Sequence, residues 1–74
     1  MIYGVYLWVV KYEAWILQRT ATTLTQAEAD RDTQIRILIA LGENPDDARS
    51  FTGIRVFTDL IPHTIKSDEW AAIF

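Results

Sequence analysis

The sequence predicts an α+β domain, a small ββαβ fold in which a three-stranded antiparallel sheet in order 2-1-3 packs on one long helix, with a short helical tail at the C-terminus. Three observations predict it. The chain opens on two strand-like runs rich in β-branched and aromatic residues, continues with a well-delimited helical stretch, and then shows an alternating apolar segment.

The first run, Met1 to Val10 (MIYGVYLWVV), carries apolar residues at both odd and even positions. A strand with one wet face should alternate, so this one is expected at the sheet centre, covered on both sides. Lys11, Tyr12 and Glu13 interrupt it, and a second run follows from Ala14 to about Thr23. The two form a hairpin through a turn of two or three residues; no Asn-Gly or Asp-Gly pair fixes its type, so the register stays open.

Thr25 followed three residues later by Glu28 has the spacing of a capping box, which starts a helix expected over Gln26 to Leu41. Gly42 supplies the left-handed residue that ends it. Ala27, Ile35, Leu38 and Ile39, flanked by Ile37 and Leu41, give an apolar stripe that should lie on the sheet, and Asp32 is spaced to pair with Arg36. Asn44 and Pro45 then suit a cap and first position of a brief helical turn. Phe51 to Leu60 alternates, with Ile54, Val56 and Leu60 on one face and Phe51, Arg55 and Phe57 on the other. Pro62 halts this third strand, and Ser67-Asp68-Glu69 begins a short helix carrying Trp70, Ile73 and Phe74.

With 74 residues, the chain is read as a single domain over 1–74. A core of this size supplies only about 3–5 kcal/mol unaided, and with no cysteine there is no disulfide to add to it. A lone histidine does not make a zinc site. Support must come from a rich core or from association, and three Trp, three Tyr and three Phe supply the first. The lack of cysteine fits a reducing, cytoplasmic setting. Met1 to Val10 has neither the basic start of a signal peptide nor the length of a membrane span, so no membrane is expected as a partner.

A net charge of −3 and a pI of about 4.8 are the reverse of the basic footprint of a nucleic-acid binder. His63 stands near Asp59 and Thr64 but has no second base or glycine elbow with it, so it reads as a loop residue. Glu28, Asp30, Asp32, Glu43, Asp46 and Asp47 match no calcium-loop spacing and read as a solvated rim. Gly4, Gly42 and Gly53 are isolated and form no phosphate-cradling loop. No catalytic residue, metal, cofactor or small-molecule substrate is therefore expected.

What stands out is the aromatic surplus. One helix covers one face of a sheet, leaving Tyr6, Trp8, Phe51 and Phe57, with Arg19 or Arg55, to be covered by the C-terminal segment or by another molecule. Trp, Tyr and Arg dominate the energetics of protein interfaces. The expected function is thus a non-enzymatic protein-binding module, with Trp8, Trp15 and Phe57 as anchors and Arg55 as a polar contact. Two alternatives use the same features: a homodimeric assembly component pairing exposed strand edges, and a weak single-stranded nucleic-acid binder stacking bases on the aromatic face. In its capped helix and small size the chain resembles the accessory proteins of bacteriophages and other mobile elements, which often bind and block a host complex, as anti-CRISPR inhibitors do. The likeness is one of style, and it assigns no residue a role.

Overall fold

A computed structural model describes residues 1–70; Ile73 and Phe74 of the expected tail helix lie outside the described residues. The fold is α+β, with an antiparallel sheet and one long helix, as the sequence predicts. The sheet has four strands, however, in the order β3-β1-β2-β4. Strands β1 (Ile2–Val9), β2 (Ala14–Ala21) and β3 (Thr52–Phe57) keep the expected neighbours, and β4 (Thr64–Lys66) is added on the far edge of β2.

The hairpin fixes what the sequence left open. Its connection is four residues long rather than two or three: a 3₁₀ turn over Val10–Tyr12, then Glu13 in the left-handed region at φ 48°. This turn sets Trp8 opposite Trp15 and Tyr6 opposite Leu17. Beyond Tyr6 the register slips, so that Val5 faces Arg19 and Gln18 is the extra residue of a bulge. The slip transfers the rest of β2 to the opposite face, which carries Ala21 into the core beneath the helix and Arg19 away from the aromatics.

Helix α1 spans Leu24–Ala40 and starts two residues earlier than predicted. Thr23, not Thr25, is the cap, and its hydroxyl accepts from the Gln26 amide at 3.2 Å. Both threonines can cap in principle; Thr23 wins because it is the one still extended, at φ −127° and ψ 150°. The other end behaves as predicted. Gly42 sits at φ 104°, the Glu43 amide donates to Leu38 and the Gly42 amide to Ile39, each at 3.0 Å, which is the Schellman pattern. Helix α2 (Pro45–Ser50) is capped by Asn44, which accepts from the Asp46 amide at 2.8 Å.

Val5, Ala21 and Ala27 form the cluster between sheet and helix, with Tyr3 and Ile54 packed against it. Ala27 and Ile35 are buried on α1, but Ile39 and Ile37 are 40 % and 47 % exposed and Leu41 77 %, so the stripe is narrower than expected. A small sheet offers room for one ridge of the helix, and Ile39 falls past its margin. Arg31 uses the space beside this ridge: its guanidinium donates to Thr52 Oγ1 and the Arg49 carbonyl at 3.2 and 3.1 Å, tying α1 to the junction of α2 and β3. The described ion pair joins Arg49 to Asp46 at 3.6 Å, in place of the anticipated Asp32–Arg36 pair. Strand β3 ends at Phe57, so Leu60 lies in the connection to β4, 90 % exposed. None of the described helices is long and apolar enough to cross a membrane.

Candidate functional site

On the face away from α1, β1 presents Gly4, Tyr6 and Trp8, β2 presents Trp15 and Leu17, and β3 presents Gly53, Arg55 and Phe57. The chain roofs this face itself. Helical turn α3 (Ser67–Trp70) lays the Trp70 indole flat on that of Trp15, with centroids 4.0 Å apart and planes 9° from parallel. On the opposite side of the same ring stands the Arg55 guanidinium, 3.7 Å from the centroid, and Tyr6 meets the indole edge-on at 5.5 Å. The floor of this slot is Gly53, where a methyl group would come 2.5 Å from Trp70 Cζ2. Gly53→Ala is therefore expected to cost about 1–3 kcal/mol by forcing the indole out of its stack. Urea unfolding checks this, and an unchanged midpoint would mean that the ring does not rest on the strand.

Tyr6 is the buried centre of this face. Its side chain is fully enclosed, and its hydroxyl donates to the Pro62 carbonyl at 2.7 Å, anchoring the connection that leads to β4. Burial pushes its phenol up to about 12. With the folded value above the unfolded one, the folded state holds the proton where the unfolded state has lost it, so stability falls as pH rises through that window. Unfolding free energy is expected to be level below pH 10 and to decline from there toward pH 12, and Tyr6→Phe should flatten the decline. An equally steep alkaline loss in the Phe variant would assign it to other groups.

The four residues singled out from the sequence are thus divided. Trp8 and Trp15 are a cross-strand pair with ring centroids 5.6 Å apart. Phe57 lies toward the other end of β3, opposite Ile2, and packs on Tyr6 at 6.4 Å. Arg55 is engaged within the fold: besides stacking on Trp70, it donates from Nε to the Trp70 carbonyl at 3.4 Å and from Nη1 to the Ile54 carbonyl at 2.9 Å. Burial lowers its pKa, and it remains a cation at neutral pH.

Besides a concavity of about 440 Å³ along the β2–β4 edge, lined by Tyr12, Ala14, Ile16, His63, Thr64 and Lys66, two shallow ones that share Trp8 open at the hairpin end of the sheet. One, of about 370 Å³, is lined by Leu7, Trp8, Val10, Leu38, Glu43 and Phe51. The other, of about 310 Å³, is lined by Trp8, Trp15, Ser50, Phe51 and Ser67. Trp8 and Phe51 belong to both and so stand as the ridge between them; the two residues are also joined through the backbone, Trp8 donating to the Phe51 carbonyl at 2.7 Å. Val10, which lines the larger of these two, is 76 % exposed; Leu41, at the end of the helix that supplies Leu38, is 77 % exposed, and Tyr12, in the hairpin turn and lining the β2–β4 concavity, 64 %.

No family model matches the chain, and no curated protein or solved structure does. The site is therefore defined by its own geometry.

Sequence reasoning did not find the contributions of Val10, Leu38 and Glu43. A signal was present: Val10 directly precedes the polar turn residues and Leu38 stands in the last turn before the helix-ending Gly42, and apolar residues at the ends of elements have little core to enter. What the sequence withheld is that these two ends meet.

Proposed function

We propose that this protein is a non-enzymatic protein-binding module whose docking surface is the apolar groove at the hairpin end, with Trp8 and Phe51 as its central ridge. The observation carrying this reading is that both concavities share these two aromatic residues, while Val10, which lines one of them, and Leu41, on the helix end that supplies Leu38 and Glu43 to the same one, are more than three-quarters exposed. Grouped apolar exposure of this kind has a cost in water that a partner removes, whereas scattered apolar residues have no such meaning. Trp8 at the middle and exposed aliphatic residues at the margin follow the usual arrangement of binding energy in interfaces. His63, the only histidine, is exposed with Nδ1 3.2 Å from Thr64 Oγ1, and it lines the concavity along the β2–β4 edge rather than the groove.

The test uses side chains the fold does not need. Val10→Ser with Leu41→Ser removes exposed apolar surface from the groove's lining at Val10 and from the adjoining end of α1 without touching the core. Affinity capture with the wild-type chain is expected to retain a partner that the double variant loses, with the urea midpoint of the two proteins the same within experimental scatter. Retention of the same partner by both would exclude the groove. Concentration-dependent light scattering on the same pair identifies the case in which the partner is a second copy.

A further inference from the structure

We infer, on the reading that the groove is a docking surface, that its partner is a basic amphipathic segment, one presenting apolar side chains to the ridge and lysine or arginine to the margin.

The inference comes from where the charge sits. The hairpin turn, the segment from Glu43 through α2, and the stretch from Lys66 through α3 converge at this end: Glu43 and Val10 line one concavity, Ser50 and Ser67 the other, and the Ser67 amide donates to the Glu13 carbonyl at 3.3 Å. These segments hold six of the ten acids (Glu13, Glu43, Asp46, Asp47, Asp68 and Glu69) and three of the seven bases (Lys11, Arg49 and Lys66). The remaining four acids and four bases cancel, so the entire net charge of −3 belongs to the end that carries the groove.

Four of these acids have a local reason to be there, since Asp46, Asp47, Asp68 and Glu69 occupy the first turns of α2 and α3, where amide groups favour negative charge. Glu43 stands between two helix ends, one residue before the Asn44 cap of α2. It follows the C-terminal end of α1, where the helix dipole already points its negative pole, and the last turn of α1 contains no basic residue to offset it. What sets it apart is its position in the groove, where it forms a wall of the apolar surface beside Leu38. Negative potential next to exposed apolar surface complements a segment with the reverse pattern, an apolar face edged by cations.

The probe is a synthetic amphipathic helix free of tryptophan, leucine on one face and lysine on the other, compared with a twin in which every lysine is glutamate. Binding is followed by the chain's own indole fluorescence and by calorimetry, using the wild-type protein, the rim variant Val10→Ser/Leu41→Ser and a charge variant Glu43→Lys/Asp47→Lys. The lysine peptide is expected to bind the wild type at least about tenfold more tightly than its twin at low salt, with the ratio shrinking as ionic strength rises toward about 1 M. The charge variant should lose that preference, and the rim variant should lose binding. Equal affinity for both peptides, or no binding of either, overturns the inference. If the rim variant still loses binding while the two peptides bind alike, the docking surface stands and only its charge preference is wrong; if the rim variant binds as the wild type does, the docking surface itself is wrong.

Discussion

Trp70→Ala is expected to lower the unfolding free energy by about 2–4 kcal/mol, a large share of what a domain of this size possesses. The side chain is half-buried yet meets a partner on every side: Trp15 on one face, Arg55 on the other, Tyr6 at its edge and Gly53 beneath. Its removal exposes the Trp15 indole and leaves the Arg55 guanidinium without the ring over which it lies. Stacking geometry adds about 0.5–1.5 kcal/mol to plain area burial, so Trp70→Leu, which keeps bulk without a flat ring, should recover only part of the loss. Urea titration followed by far-ultraviolet circular dichroism measures both variants. Hydrogen exchange adds a local reading, because β4 joins the sheet through only three residue pairs and leads directly into α3. Faster exchange at Ile65 in Trp70→Ala is expected. A change below about 1 kcal/mol would mean that the indole rests on the surface without holding it.

Tyr6→Ala should be more damaging still, at about 3–5 kcal/mol, the range for deleting a buried aromatic ring. Tyr6 is fully enclosed and touches Phe57 and Trp70, so the cavity left behind is walled by rings with little freedom to collapse into it. The variant is expected to be largely unfolded at room temperature. Tyr6→Phe isolates the hydroxyl, whose bond to Pro62 spans 56 residues of sequence, and should cost about 0.5–1.5 kcal/mol. Comparable stability of the Ala and Phe variants would show that the ring contributes little and would contradict the packing described above.

The fold was legible wherever a signal is local. Asn44 with Pro45 and Leu41 with Gly42 specify their helix ends through neighbouring residues, and both ends are where the sequence puts them. The start of α1 was displaced because two threonines compete for one role, and backbone conformation decides between them. Strand β4 had no local signal at all. Thr64-Ile65-Lys66 offers one apolar residue between two polar ones, and these become a strand only because Ala14–Ile16 present a free edge to pair with. The candidate site was read in half for a similar reason. An abundance of rings on one sheet face follows from composition and alternation, but whether Trp8 meets Trp15 depends on a four-residue turn with no signature, and the meeting of Val10 with Leu38 and Glu43 depends on how the helix end lies over the hairpin. The roof supplied by Trp70 hinges on Gly53, a residue whose lack of a side chain gives no pattern to read.

The bond from Arg55 to the Ile54 carbonyl bears on how these molecules behave in a crowd. Because Trp8 donates to Phe51 across the ladder, it is the odd-numbered residues of β3 whose backbone groups turn toward β1, which leaves the Ile54 carbonyl pointing outward along the border of the sheet. Borders of this type invite lateral growth into fibres when their acceptors stand open in a row. Here the middle acceptor is already occupied by the molecule's own guanidinium, at 2.9 Å, so an incoming chain meets an interrupted row. Arg55 thereby guards colloidal behaviour as well as covering Trp70, two duties that a lysine, lacking the planar fork, would discharge poorly.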